Sequence, residues 1–122
     1  MPGQQILIVE DHADTLDVLS RLLRSFGYAV QSAASAREAL EHASANQFDL
    51  LISDLTLPDG NGADLVKQIC ANRSIPAIAL SGYAPGDGGN AGADSDFAAR
   101  LVKPVDFQLL KETIRKLLPD HA

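Results

Sequence analysis

Phe48-Asp49-Leu50-Leu51-Ile52-Ser53-Asp54-Leu55-Thr56-Leu57-Pro58-Asp59-Gly60-Asn61-Gly62 is the stretch whose reading decides the fold. Its first part, Leu50 to Ile52, is a short apolar run of the kind that forms a strand buried on both faces between helices. The run ends in a carboxylate, Asp54, where such a strand would emerge. Pro58, Gly60 and Gly62 then predict an irregular turn, and a helical pattern follows. In an open parallel sheet the carboxyl ends of the strands are where ligands bind. Asp54 alone could equally be a cap for its turn, so the rest of the chain must decide.

Toward the N-terminus, Gln5-Ile6-Leu7-Ile8-Val9 reads as a second buried strand, and it ends in Glu10-Asp11. Leu16, Leu19, Leu23 and Phe26 then fall on one helical face, with Gly27 placed to close the helix. Tyr28 to Ala33 is a weaker strand pattern. Ser35-Ala36-Arg37-Glu38 has the form of a capping box, opening a helix with Ala39, Leu40 and Ala43 inward and a stop near Asn46.

Toward the C-terminus, Leu65, Val66, Ile69 and Cys70 give a third helical stripe, ended by the segment from Asn72 to Pro76. Ala77-Ile78-Ala79-Leu80 reads as a strand delivering Ser81 to its end. Between Gly82 and Asp96 lie Gly86, Gly88, Gly89 and Gly92; each interior glycine costs about 1 kcal/mol relative to alanine, so a fourth helix here is expected to be short and its amides weakly protected. Arg100-Leu101-Val102 is the last strand, ending in Lys103-Pro104. Asp106 can cap a final helix with Phe107, Leu110, Ile114 and Leu117 on one face, closed by Pro119.

Five strands alternating with five helices predict right-handed crossovers, and therefore an α/β domain with a five-stranded parallel sheet covered by helices on both faces. At 122 residues the chain has room for one core, and we read residues 1–122 as one domain. A net charge of −6 argues against a nucleic-acid surface. The single cysteine, Cys70, excludes a disulfide scaffold and fits a small buried hydrophobe. No apolar run is long enough to span a bilayer, and Met1-Pro2-Gly3-Gln4-Gln5 lacks the features of a secretion signal, so a cytoplasmic location with no membrane partner is expected.

In this topology Glu10, Asp11, Asp54, Ser81 and Lys103 share one sheet edge. Three clustered carboxylates repel one another, and a cation is the economical offset. Oxygen donors, with no cysteine nearby and only His12 as a nitrogen candidate, favour Mg²⁺ over zinc. A lysine and a hydroxyl beside that ion would face an anion. Phosphoryl groups suit such a site, since their transfer depends on positioning and charge neutralisation.

Glu10-Asp11, Asp54, Ser81 and Lys103-Pro104, in this order at these strand ends, resemble the receiver domain of two-component response regulators, and the resemblance covers essentially the whole chain. It implies a flavodoxin-like (βα)5 fold and a signalling phosphoacceptor rather than an enzyme with a substrate of its own. Asp54 would accept a phosphoryl group from a phosphohistidine on a histidine kinase or histidine phosphotransfer protein. Asp11, Asp54 and the Thr56 backbone carbonyl would ligate Mg²⁺, with Glu10 acting through water. Ser81 would bond a phosphoryl oxygen, Lys103 would pair with the phosphate, and the fourth helix, fifth strand and fifth helix would form the switched surface. A cis Lys103-Pro104 bond would help aim the lysine.

The chain also departs from that pattern. Arg100 stands where the family carries its switch aromatic, three residues before the lysine. Tyr83 and Thr56 would flank the route of the hydrolytic water and tune phosphoryl lifetime. Arg100 to Asp106 and Ser81-Gly82-Tyr83 look similar to receivers of hybrid sensor kinases, which leaves open a stand-alone regulator or a module of a larger protein. His12, His42 and His121 read as solvent-facing, and Asp59 as a residue shaping its own turn. Two rival readings remain: a haloacid-dehalogenase-like phosphatase, whose nucleophile should end the first strand with a second Asp two residues on, and a receiver fold that binds without being phosphorylated.

Overall fold

A computed structural model describes residues 4–71, 75–81, 97–103 and 105–118. In chain order the elements are β1 (Gln5–Val9), α1 (Ala13–Ser25), β2 (Ala29–Ala33), α2 (Ala36–Ala45), β3 (Leu50–Asp54), β4 (Thr56–Leu57), β5 (Gly60–Asn61), α3 (Gly62–Cys70), β6 (Ala77–Ser81), β7 (Ala99–Val102) and α4 (Phe107–Leu117). The expected helix between Gly82 and Asp96, the bond to Pro104 and the stop at Pro119 lie outside the described residues. So do Tyr83 and His121.

Five strands form one sheet in the order β2-β1-β3-β6-β7, every pair parallel. The order reverses between β1 and β3, which puts the crevice of an open α/β sheet between their carboxyl ends. Alternate residues of each strand serve opposite faces. Ile6, Ile8, Leu50, Ile52, Ile78 and Leu80 pack with Leu19 and Leu23 of α1 and Leu110 and Ile114 of α4. Leu7, Val9, Leu51 and Ala77 pack on the other face with Ala39 and Ala43 of α2 and Leu65, Val66 and Ile69 of α3. Burial on both faces explains the unbroken apolar runs over residues 6–9 in β1 and 50–52 in β3.

The helix ends follow local rules. Gly27, at φ 100°, closes α1: its N–H donates to Arg24 O at 3.0 Å and that of Tyr28 to Leu23 O at 3.2 Å, a Schellman arrangement with Tyr28 buried in the core. Tyr28 therefore belongs to the closing motif that follows α1 and not to the strand, and β2 begins at Ala29. Ser35 accepts from Glu38 N as the capping box predicts, and Asp106 accepts from the backbone N–H groups of Gln108 and Leu109. The expected irregular turn after Asp54 is more ordered than that reading. β4 and β5 pair antiparallel, Thr56 with Asn61 and Leu57 with Gly60, with Pro58 and Asp59 at the tip. Proline pre-sets the turn backbone, and the burial of Leu57 fixes one side of the hairpin.

Candidate functional site

Strand pairing brings distant acids to one edge. β1 runs beside β3 in register, Val9 opposite Ser53, so Glu10 and Asp11 leave β1 next to Asp54 at the end of β3. Glu10 is fully buried and Asp54 nearly so, whereas the Asp11 side chain is about one-third exposed. Glu10, Asp11, His12 and Asp54 each offer one ligand atom, all within 4.8 Å of one another.

Lys103, one residue beyond β7, crosses to this cluster. Its Nζ lies 2.6 Å from Glu10 Oε1 and 2.9 Å from Asp54 Oδ2, so one ammonium bridges the two most buried carboxylates. Burial by itself would lower the Lys103 pKa, but the hydrogen bonds to Glu10 and Asp54 outweigh it and raise the value above the ordinary lysine range. Burial likewise works to raise that of Glu10. Hydrogen bonds from Lys103 and from the backbone and ring of His12 prevail, and the carboxyl is held below its usual range. Lys103 and Glu10 are thereby kept in a charged, paired state.

His12 faces solvent, as the sequence reading expects, and is also held by the acidic cluster. Its side chain is 69% exposed, yet Nδ1 lies 2.8 Å from Glu10 Oε2 and its backbone N–H donates to the same oxygen at 3.0 Å. The bond to Glu10, and then the charges of Asp11 and Glu10, raise its pKa. His42, by contrast, is half-buried rather than free in solvent, with Nε2 at 3.8 Å from Glu38 Oε2.

Ser81 ends β6 with its backbone opposite Val102, on the same edge of the sheet; its side chain lies outside what the structure describes. Arg100, at the place of the expected aromatic, sits on β7 opposite Ala79. Thr56 contributes its backbone to β4, and its side chain is likewise outside the description.

Two residues matter here that the sequence reading treated only as turn formers. A Cβ on Gly62 would stand 2.3 Å from the Asp54 carbonyl oxygen and 3.1 Å from Leu55 Cα, so only glycine lets the start of α3 approach the Asp54 backbone. Gly62 N also donates to Leu55 O at 2.9 Å. Asp59 does not merely shape its own turn. Its carboxylate accepts from Ala36 N at 2.8 Å and Arg37 N at 3.0 Å, reaching the first turn of α2. The bonds from Ala36 and then Arg37 hold its pKa below the usual carboxylate range. The Asn61-Gly62 pair was a usable signal for the first contact; nothing local marked the second.

The donor set fits a hard divalent cation: three carboxylates within reach of one another, two of them already sharing an ammonium. Asp54 stands at the end of the third strand and not the first, which is the reverse of what the phosphatase reading requires.

Residues 6–115 match the family model described as the response regulator receiver domain. The transcriptional regulatory protein ZraR of Escherichia coli (strain K12) is 33% identical over 114 residues, covering 93% of this chain and 26% of that protein. The chain thus spans about a quarter of the length of such curated relatives. A CheY-like receiver domain from Methylobacillus flagellatus superposes with a TM-score of 0.86 at 30% identity, covering 94% of this chain and 98% of that one. The receiver domain of the hybrid histidine kinase CckA is 36% identical with a TM-score of 0.79, covering 93% and 98% of the two chains. Fold, strand-end chemistry and sequence agree on one conclusion: the chain belongs to the receiver domain family of two-component response regulators.

Proposed function

We propose that residues 1–122 act as a single phosphoacceptor unit in which Asp54 takes a phosphoryl group from a phosphohistidine on a histidine kinase or histidine phosphotransfer protein. The observation that carries this reading is the placement of the Asp54 carboxylate within 2.9 Å of Lys103 Nζ and in one cluster with Glu10 and Asp11. An Asp54 carboxylate oxygen attacks phosphorus. The P–N bond to the donor imidazole breaks as the P–O bond forms, and the imidazole leaves as the neutral ring once it takes up a proton.

Glu10, Asp11, Asp54 and the Thr56 carbonyl would hold Mg²⁺, which when bound supplies positive charge to the equatorial phosphoryl oxygens. Lys103, already oriented by two carboxylates, is placed to follow the new charge and pair with the phosphate. The Ser81 hydroxyl would accept the role of donor to another phosphoryl oxygen. Drawing it inward would shift the surface made by the segment after β6, by β7 and by α4, and so signal to a downstream protein. The protein has no separate substrate to turn over in this scheme. No described helix is long and apolar enough to cross a membrane, and the reading places the unit in the cytoplasm with no direct nucleic-acid contact.

Incubation with acetyl phosphate and Mg²⁺, followed by intact mass, tests the proposal. One added phosphoryl group is expected on the wild-type chain and none on Asp54→Asn. An adduct that persists in Asp54→Asn, or steady turnover of a free phosphomonoester, would overturn it.

A further inference from the structure

The hairpin that follows Asp54 is tied down at two ends by different parts of the protein. At its base, Gly62 N donates to Leu55 O, and the Gly62 Cα lies so close to the Asp54 carbonyl that no side chain fits. At its tip, Asp59 accepts from the backbone N–H groups of Ala36 and Arg37 in α2, 23 and 22 residues earlier in the chain. Thr56 lies between these two anchors, in the register Thr56 to Asn61.

The first turn of α2 divides its unpaired N–H groups between two side chains. Those of Ala36 and Arg37 go to Asp59, while that of Glu38 goes to Ser35 Oγ at 3.2 Å. Ser35 belongs to α2's own entry and Asp59 to the hairpin. Only the second therefore couples the helix to the loop that carries Thr56. A carboxylate accepting two N–H groups at a helix N-terminus is also favourably placed in the helix dipole, so the tether gains strength from α2 itself.

We infer that Asp59 is a positioning residue for phosphoryl transfer: by clamping the tip of the hairpin to the first turn of α2, it fixes the backbone carbonyl of Thr56 for the cation beside Asp54. This rests on the reading of the acidic cluster as a Mg²⁺ site. Groups that orient a ligand from behind it change metal affinity by about tenfold or more when removed.

Ser35→Ala is the control, because it weakens the same helix turn without touching the hairpin. Mg²⁺ affinity measured by calorimetry is expected to fall by about tenfold in Asp59→Ala and to stay at the wild-type value in Ser35→Ala. In ¹H–¹⁵N spectra without Mg²⁺, amides of residues 55–61 should move in the first variant and not in the second. Equal affinities in the two variants, at comparable melting temperatures, would overturn the inference while leaving the phosphoacceptor reading intact. A wild-type chain that neither binds Mg²⁺ nor accepts a phosphoryl group would remove both. Should Asp59→Ala fail to fold, Asp59→Asn, which has one acceptor oxygen in place of two, answers the same question: an affinity equal to wild type would overturn the inference.

Discussion

Lys103 is the residue on which the charge balance of the pocket turns. Its ammonium touches Glu10 and Asp54, and Glu10 has no exposure to solvent through which its charge could be relieved. Lys103→Met leaves both carboxylates without that partner, which we expect to cost roughly 2 kcal/mol. Urea denaturation should show the loss, and added Mg²⁺ should restore part of it, since a divalent cation can take over the neutralising role. At Asp59 the sign runs with pH. Its folded pKa is held low by the Ala36 and Arg37 N–H groups, so its contribution to stability is complete above the unfolded carboxylate value and is lost as pH falls through the folded one. Asp59→Asn should therefore lose less stability than wild type between neutral pH and values below about pH 4. Thermal melts across that range check it.

Individual elements show where local chemistry suffices and where it does not. Asp106 was legible as a cap because its partners, Gln108 N and Leu109 N, are two and three residues away and the geometry of a helix start repeats in every protein. Asp106→Ala should cost about 1 kcal/mol in urea melts. Ser35 was legible for the same reason, although Glu38 reaches the Ala34 N–H and not that of the cap itself. Asp59 was not legible, since its partners lie on a helix that only the packing of α2 beside α3 brings near. Gly62 was visible as a turn residue but not as a contact, because the approach to Asp54 exists only once α3 docks. In an open helix Gly→Ala stabilises by about 0.5–1 kcal/mol. Here a Cβ against backbone at 2.3 Å must reverse that sign, and Gly62→Ala should destabilise the protein by about 1–3 kcal/mol and slow phosphorylation of Asp54. Denaturation and the rate of acetyl phosphate labelling measure the two effects.

Across the whole molecule, the parallel architecture was legible because strands buried on two faces carry continuous apolar runs, as β1 does over residues 6–9, β3 over 50–52 and β6 over 77–80. The convergence of Glu10, Asp11, Asp54 and Lys103 followed from that architecture once strand ends were taken to share an edge. The finer placement of His12 did not, since a 69% exposed ring can still be held by a buried acid two residues back. A cation that binds only the folded state must stabilise it. At about ten times its dissociation constant Mg²⁺ should contribute about 1.4 kcal/mol, a rise of about 5 °C in melting temperature. Asp11→Asn should abolish most of that rise.

The order in which the sheet is laid down has one more consequence. Acids arrive with β1 and β3, in the first half of the chain, but the ammonium that balances them arrives only after β7. A nascent polypeptide paused before that last strand carries the complete set of negative groups without their counterpart. If Asp54 is the acceptor proposed above, a fragment ending before residue 103 should take up no phosphoryl group from acetyl phosphate, because its acids lack the ammonium that pairs with them.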